Sequence, residues 1–413
     1  MEAMASVGNS HVAKLSRKKR FLYSVTLVVI PVLALELGLR AVFAYHEGSS
    51  ILFYGTSFYR NQMNGDPHLE TMNHREAYWK YYPHQQRYTR DKETGKRISI
   101  TINNHGFRGE DFSVQKPPHT IRIITLGASS TFGFSDRDEE TYPCYMEQML
   151  NSQCDGADRY EVINLGIPHL KSDQILALFL GEGLALQPDV VTFYEGVNDS
   201  WDSPVRWRVL KNSVPGIRNR ARRFPIPHRF YLVLRDHFMV ILLADQLFRN
   251  RDMRFTDDDF EAHAKGKSDY FVQNLAGIRK ACLQNDILFI VASQQAKSFI
   301  VDRDDIRGMT YEQEGGIVGR KLAREHHITD HELYFLTHTK IMQAEAEWAR
   351  ANAVHYVDII RTLDQRRDVL LSWVHLSAEG NRLVAEALTS EIMELMCQEA
   401  DTLNRKTHGS QLP

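Results

Sequence analysis

The sequence predicts an α/β protein, a three-layer α/β/α sandwich on a five-stranded parallel sheet, with an N-terminal membrane helix and a helical insertion. Two observations predict this fold class. Five short apolar runs alternate with segments of helical periodicity, as in parallel strands joined by crossover helices. A long apolar stretch preceded by basic residues stands near the N-terminus. The 413 residues suffice for one elaborated domain or two.

The apolar stretch near the N-terminus covers residues 21–45. It follows a basic cluster, namely Lys14, Arg17, Lys18, Lys19 and Arg20. Because basic flanks stay in the cytoplasm, we expect a cytoplasmic tail at 1–20, a transmembrane anchor at 21–45 and the rest of the chain outside. Glu36 and Arg40 can pair or snorkel near the outer interface. A cleavable signal peptide is the alternative, and it also exports the remaining chain.

Composition excludes one class of partner and leaves the state of the thiols open. The 50 basic and 52 acidic residues nearly balance, so no nucleic-acid surface is expected. The four cysteines, Cys144, Cys154, Cys282 and Cys397, lack the CxxC spacing of zinc sites. Buried free thiols are the expected state of these cysteines, and a disulfide between Cys144 and Cys154 in an oxidising compartment is the alternative.

The remaining chain divides into a lead-in segment at 46–118, a main domain at 119–397 and a tail at 398–413. The predicted strands are Ile121–Leu126, Tyr160–Leu165, Val190–Tyr194, Ile287–Ala292 and Val354–Ile359. The predicted helices are Tyr142–Leu150, Asp173–Leu186, Tyr270–Cys282, Lys340–Ala353 and Ala378–Met396. A smaller irregular loop is expected at Ser298–Gly319.

An insertion is expected at 201–267. Its first part is basic, and residues 230–248 then form an apolar run that charges interrupt, so a second membrane span is not expected. A lid or a membrane-facing amphipathic helix is one interpretation. A solvated basic face followed by a packed helix is the other.

A serine lies at the first strand-to-helix corner. In "IRIITLGASSTFG", residues 121–133, Gly127 ends the strand and Ser129 follows. Ligands bind at the carboxyl ends of parallel strands, and the small residues here let a substrate approach the hydroxyl. An N-cap serine with no chemistry is the alternative interpretation.

Later segments place further polar groups at the same edge of the sheet. Gly166 follows the second strand, Asn198 and Asp199 follow the third, and His375 directly precedes the last helix. Acyl transfer needs a nucleophile, a base and donors for the oxyanion. Ser129 and His375 fit the first two roles. The backbone amides of Ser129 and Gly166 and the Asn198 side chain fit the third.

Four blocks in this order resemble those of the SGNH hydrolases, the GDSL-type esterases and acylesterases. They are Gly127-Ala128-Ser129, Gly166, Gly196-Val197-Asn198-Asp199 and Ser372-Trp373-Val374-His375. The resemblance implies a flavodoxin-like fold, an acyl-enzyme on Ser129, His375 as base, the oxyanion donors already named and no cofactor. The upstream segment 103–112, "NNHGFRGEDF", resembles the lead-in of membrane-anchored bacterial members.

Two positions depart from the family pattern. Ala128 stands where the family has aspartate, and Ser372 stands at the position of the triad aspartate. An orienting carboxylate fixes the histidine tautomer and stabilises the imidazolium. Either Ser372 or a backbone carbonyl orients His375 in a dyad, or Asp358 or Asp368 substitutes, or the site is slow or inactive.

The sequence thus predicts a membrane-anchored serine esterase that acts on O-acyl, in particular acetyl, esters of an envelope or extracellular glycan. An O-acyltransferase using the same site and a catalytically impaired binding or assembly protein are the alternatives. The sequence lacks the GxSxG elbow of an α/β-hydrolase.

A metal site is the least favoured alternative. "REHHITDHELY" offers His326, His327, His331 and Glu332, and the helical spacing of His327 and His331 is compatible with metal binding. A solvated helix face explains the same pattern, because neither HExxH nor a cysteine partner is present.

Overall fold

The computed structural model describes residues 16–47, 69–71, 78–81, 83–91, 94–134, 136–153, 159–200, 238–241, 253–254, 256–298 and 305–409. The strands are β1 (Leu69–Thr71), β2 (Trp79–Tyr81), β3 (Gln85–Arg90), β4 (Arg97–Ile102), β5 (Thr120–Gly127), β6 (Arg159–Asn164), β7 (Val190–Tyr194), β8 (Met253–Arg254), β9 (Leu288–Ala292), β10 (His327–Ile328) and β11 (His355–Val357).

The helices are α1 (Arg17–Glu47), α2 (Ser129–Phe132), α3 (Tyr142–Gln153), α4 (Ser172–Leu178), α5 (Val197–Ser200), α6 (Asp257–Gln284), α7 (Tyr311–Glu325), α8 (Asp330–Ala351), α9 (Ile359–Leu363) and α10 (Ala378–Gly409). Single turns of 3₁₀-helix at Asp138–Glu140 and Leu184–Leu186, a longer one at Asp364–Val369 and a wider π-turn at Phe179–Gly183 complete them.

Five parallel strands form the central sheet in the order β11-β9-β7-β5-β6. The α/β fold and all five predicted strands are confirmed. Counted along the chain, the strand order is 2-1-3-4-5, the flavodoxin-like arrangement, whose direction of winding reverses between β5 and β7. Ser129 follows β5 and Asn198 follows β7, so both residues flank the switch point where such folds bind ligands.

Alternate residues along each strand point to opposite faces of the sheet and pack into two separate cores. Ile124 on β5 packs with Phe193 and with Phe271 and Leu275 of α6 on one face. Its neighbour Ile123 faces the opposite core, in which Met146, Leu150, Val384 and Leu388 cover the sheet from α3 and α10. The period of two along a strand therefore buries both faces of β5, as a parallel sheet between two helical layers requires.

The lead-in segment adds antiparallel pairs, β1 with β2 and β3 with β4. Along β4, Ile98, Ile100 and Ile102 alternate with more exposed residues and are buried. Ile100, Ile102 and Phe107 join the core formed by α4 and α6. The described part of 46–118 is therefore packed against the main domain.

Several helices differ from the sequence expectation: α8 begins at Asp330 rather than at Lys340, and α10 continues past Met396 to Gly409, into the expected tail. The irregular loop expected at Ser298–Gly319 is wrong in its second half, because α7 begins at Tyr311. Thr310 and Gln313 form a capping box that starts this helix despite its glycines. The helix expected at Tyr270 begins earlier, at Asp257, where Thr256 supplies the cap. Part of the expected insertion therefore belongs to α6.

Helix α1 contains the apolar N-terminal stretch. Over Arg17–Val42 it is long and apolar enough to cross a membrane, and a signal sequence would pass the same test. The expected basic tail before residue 16 and most of the insertion, including 201–237 and 242–252, lie outside the described residues.

Candidate active site

Ser129 stands at the corner between β5 and α2. It is the first residue of the short helix and is 8% exposed. The corner is tight because a Cβ on Gly127 would come within 2.6 Å of the carbonyl oxygen of Tyr194. Glycine at this position therefore lets β5 and β7 end side by side with the serine above them.

The histidine lies against this serine. His375 Nε2 is 2.9 Å from Ser129 Oγ, although 246 positions separate the two residues. The amide of Leu371 donates to the carbonyl of His375 at 2.8 Å, which closes a tight loop around the imidazole. Phe134 stacks on the ring with centroids 5.6 Å apart. The arrangement meets the geometric requirement for a nucleophile and its base.

Ser372 stands on the far side of the imidazole. Its Oγ is 2.9 Å from His375 Nδ1 and accepts hydrogen bonds from the amides of Val374, at 3.3 Å, and His375, at 2.9 Å. A hydroxyl oxygen has two lone pairs, so these amides leave its hydrogen to face Nδ1. This pattern favours the tautomer with the ring hydrogen on Nε2. A ring that accepts the Ser129 proton needs the other tautomer, with Nδ1–H donated to Ser372.

The two carboxylates considered as substitutes make other contacts. Asp358 caps α9 by accepting from the amide of Arg361 at 3.0 Å. Asp368 forms an ion pair with Arg307 at 3.1 Å. These contacts do not support Asp358 or Asp368 as the group that orients His375.

The expected oxyanion donors differ in their availability. The Ser129 amide lies at the first helical position, where no carbonyl one turn earlier in the helix can accept it. Asn198 Nδ2 donates one of its two hydrogens to the carbonyl of Leu170 at 2.9 Å, so the second remains. The Gly166 amide donates to Asn164 Oδ1 at 2.9 Å and can contribute only by sharing its hydrogen.

A buried arginine from the lead-in segment clamps the turn that follows Ser129. Arg108 Nη1 donates to the carbonyls of Phe132, at 2.9 Å, and Gly133, while Nη2 reaches that of Asp136 at 2.6 Å. Its Nε pairs with Asp138 at 2.9 Å. Burial lowers the pKa of Arg108, and the Asp138 carboxylate opposes that shift. Arg108 is not among the site residues that the sequence predicts.

A glutamine just beyond β9 connects the loops of the candidate site. Gln294 Nε2 donates to Ser130 Oγ at 3.2 Å, and its Oε1 accepts from the amide of Val197 at 2.9 Å. The Ser130 hydroxyl in turn donates to the carbonyl of Val374 at 3.4 Å. The signal was present in the sequence, because "SQQ" directly follows a predicted strand.

Buried carboxyl groups support the Asn198 turn. Glu195 accepts from the Asn198 amide at 2.8 Å, and burial raises its pKa to about 8. Asp199 accepts from both the amide and the hydroxyl of Ser172 at 2.8 Å. Burial raises the pKa of Asp199 as well, against the attraction of Lys171. These buried hydrogen bonds thus hold the predicted Asn198-Asp199 block in place.

The structure separates the residues of the alternative metal site. His326 ends α7 in the left-handed conformation and His327 lies in β10, so His327 and His331 do not share a helix face. Glu332 completes the capping box of α8 with Thr329. Within the described ranges, no group of three His, Cys, Asp or Glu side chains has metal-binding geometry.

Cys144 and Cys282 are free thiols, and Cys282 is buried. Cys154 and the side chain of Cys397 lie outside the part of the chain that the structure describes. The alternative of a disulfide between Cys144 and Cys154 involves a residue outside the described ranges and stays untested.

Comparison with protein-family models finds no match, and comparison with curated proteins finds none either. Among solved structures, the chain is similar to a GDSL-like lipase from Bacteroides thetaiotaomicron (14% identity, 69% of this chain and 93% of that chain, TM-score 0.36). It is also similar to a catalytic mutant of an acetylxylan esterase from Geobacillus stearothermophilus (14% identity, 66% and 93%, TM-score 0.37).

A third similar structure is a lipase/acylhydrolase from Enterococcus faecalis (14% identity, 66% of this chain and 94% of that chain, TM-score 0.33). The likeness to these three structures is one of fold alone.

Proposed function

We propose that this protein is an SGNH-type serine esterase in which Ser129 is the nucleophile and His375 the base. The observation that carries the proposal is the 2.9 Å separation of Ser129 Oγ and His375 Nε2 at the carboxyl ends of the sheet. Asn198, across the switch point, supplies a side-chain donor at the same edge.

The reaction begins when Ser129 Oγ attacks the ester carbonyl carbon and its proton moves to His375 Nε2. The carbonyl electron pair moves onto oxygen, and the Ser129 amide and the free hydrogen of Asn198 stabilise the negative charge. Collapse of this tetrahedral intermediate breaks the ester C–O bond, and Nε2 returns the proton to the departing alcohol. Water then attacks the acyl carbon and gives its proton to His375 Nε2. The acyl group leaves as the carboxylic acid, and Nε2 returns the proton to Ser129 Oγ.

Ser372 makes this a dyad of reduced efficiency. To become a base, His375 must place its hydrogen on Nδ1, and Ser372 Oγ must accept it in competition with two backbone amides. The bond from Val374, at 3.3 Å, is the longer of the two and is the one displaced. A hydroxyl also stabilises the imidazolium less than a carboxylate does, since it carries no charge. We therefore expect slow turnover with a normal nucleophile.

The proposed substrate is an O-acyl ester, in particular an acetyl ester, of an envelope or extracellular glycan. We place the catalytic domain on the outer side of the membrane, because the basic cluster lies at the N-terminal end of α1 and the domain follows the helix. An exported, anchored domain meets cell-envelope esters first.

Two observations favour a second candidate, a catalytically impaired protein that binds a glycan or an assembly partner. The Gly166 amide already donates to Asn164, and the hydrogen bonds of Ser372 favour the unproductive tautomer of His375. Both features weaken catalysis.

A fluorophosphonate probe distinguishes the two candidates on the purified full-length chain. Attack by Ser129 on phosphorus expels fluoride and labels the serine covalently. We expect labelling of the wild type, loss in Ser129→Ala and retention in the control variant Ser152→Ala, at an exposed site on α3. An unlabelled but folded wild type would instead support the binding protein.

A further inference from the structure

Glu36 is unusual within the apolar helix α1. It is 5% exposed, whereas its neighbours Leu35 and Leu37 are 53% and 60% exposed. Among the α1 residues whose side chains are described, it is the one that is buried. A carboxylate beside an apolar membrane stretch is costly unless other groups satisfy it. Its partners therefore identify what lies against this helix.

Two of those partners come from the insertion, more than 200 positions away, and the third lies one turn along α1. Glu36 Oε1 accepts from the amide of Met239, and Oε2 accepts from that of Val240, each at 2.9 Å. Arg40 Nε lies 2.7 Å from Oε1 and neutralises the charge. Met239 is itself 1% exposed. Two consecutive backbone amides and one guanidinium thus satisfy both oxygens of the carboxylate.

The contact lies at a defined depth along α1. With a rise of 1.5 Å per residue, Arg20 and Arg40 are about 30 Å apart, the thickness of the bilayer hydrocarbon core. Glu36 is one turn inside the outer boundary that Arg40 marks. The backbone of the insertion therefore reaches this boundary, and the lead-in strand β3 contacts α1 as well.

The part of the insertion that reaches this level is apolar. Residues 238–244 read "FMVILLA", and Phe238 is 38% exposed. We propose that the insertion docks on α1 through Glu36 and places residues 238–241 in the outer leaflet, so that its partner is a lipid bilayer surface. The catalytic domain is then held against the membrane at a fixed height. This inference rests on the proposed membrane placement of α1 and is independent of the chemistry at Ser129.

The test uses the full-length protein reconstituted in phosphatidylcholine liposomes. Phe238→Cys, in a background whose four native cysteines are replaced by alanine, carries an NBD fluorophore, and lipids with a nitroxide near the headgroup act as quenchers. We expect strong quenching at position 238 and little at Leu283→Cys, an exposed position on α6. Circular dichroism and co-sedimentation with liposomes confirm that each labelled protein is folded and anchored.

Removal of the carboxylate is the second arm. We expect Glu36→Ala to reduce the quenching at position 238 at least about threefold, whereas Leu37→Ala, on the lipid-exposed face, leaves it unchanged. Unquenched label in the wild type would overturn the inference, as would quenching that Glu36→Ala does not alter.

If Glu36→Ala fails to insert, a photo-crosslinker at position 240 of the otherwise native chain replaces it. An adduct with residues 17–47 supports docking, and no adduct overturns it. A wild type that does not sediment with liposomes overturns both the docking and the proposed anchor. Fluorophosphonate labelling of Ser129 is measured separately, and none of these membrane results changes the labelling that we expect.

Discussion

The loops that carry Ser129 and His375 are held in different ways. The turn after Ser129 is fixed by buried groups from several elements: Arg108 binds its carbonyls, Asn164 Nδ2 donates to the carbonyl of Thr131 at 2.9 Å, and the Thr131 hydroxyl donates to the carbonyl of Tyr194 at 3.3 Å. On the histidine side, an uncharged hydroxyl, that of Ser372, faces Nδ1.

The hydrogen bonds therefore fix the position of Ser129 more firmly than they fix the protonation of His375. The proposed nucleophile, Ser129, is positioned by many mutually supporting hydrogen bonds, so removing one moves it little unless the removed group is charged and buried. The proposed base, His375, is in place as well, but its tautomer depends on how one hydroxyl distributes its hydrogen bonds. In the function proposed above, the position of the serine is therefore well fixed and the protonation of the histidine is weakly controlled.

The largest effect is expected for His375→Ala. Loss of the base should lower kcat for an acetyl ester at least about 10⁴-fold, because a nucleophile and its base fail together. The matched variant His355→Ala, at a half-exposed site on β11, should keep wild-type turnover. If the His375→Ala protein is folded and retains more than a tenth of the activity, the pairing with Ser129 is not catalytic.

Arg108→Met tests the firmly held turn that follows Ser129. It leaves carbonyls of the Ser129 turn and the Asp138 carboxylate without their buried partner. We expect about 3–5 kcal/mol of lost stability and a 10- to 100-fold lower kcat. Chemical denaturation and steady-state kinetics measure the two effects. Arg137→Met, at an exposed site nearby, is the control and should change neither. A stable Arg108→Met protein with full activity would show that Arg108 is not needed to fix the turn after Ser129.

Ser372→Ala tests the contribution of the hydroxyl that faces His375 Nδ1. Loss of the triad aspartate in a true triad costs about 10⁴-fold in turnover, but here there is no carboxylate to lose. We expect less than a tenfold decrease in kcat, since the ring keeps its contacts with Ser129 and Phe134. A decrease of 10³-fold or more would mean that this hydroxyl performs the full role of an aspartate.

The smallest effect concerns stability and pH. Burial raises the pKa of Glu195 to about 8, against about 4.3 in an unfolded chain. Between these values the folded protein holds a proton that the unfolded chain has released, so the free energy of unfolding falls as pH rises. Glu345, whose pKa burial also raises, acts in the same direction.

Glu195→Gln keeps a carbonyl acceptor for the Asn198 amide and removes the titration. We expect a Tm a few degrees above the wild type at pH 8, no gain at pH 5, and a shallower slope between them. Glu325→Gln, at an exposed site, should follow the wild-type curve. A wild-type Tm that does not fall from pH 5 to pH 8 would contradict the buried, protonated state of Glu195.

Local patterns explain what was predictable. The strands and the corner at Ser129 follow from short apolar runs that end in glycine and serine, and the order of strands brings Asn198 and His375 to the same edge. Helix α7 was missed because Gly315, Gly316 and Gly319 resemble a loop. The cap at Thr310 and the burial of its apolar face outweigh the low helix propensity of glycine.

Long-range contacts explain what was not predictable. Arg108 lies in a turn-rich segment upstream of the sheet, and nothing near it in sequence indicates that its guanidinium reaches the turn after Ser129. The capture of the Gly166 amide by Asn164 depends on the rotamer of one strand residue. Such contacts arise only once the fold is formed.

The most direct test of the account is the kcat of Ser372→Asp. A carboxylate at this position accepts Nδ1–H, selects the tautomer with a free Nε2 lone pair and stabilises the imidazolium. We predict at least a tenfold rise in acetyl-ester turnover, which the additional substitution Ser129→Ala abolishes. A folded Ser372→Asp protein whose turnover falls below that of the wild type would contradict the dyad in which Ser372 limits His375.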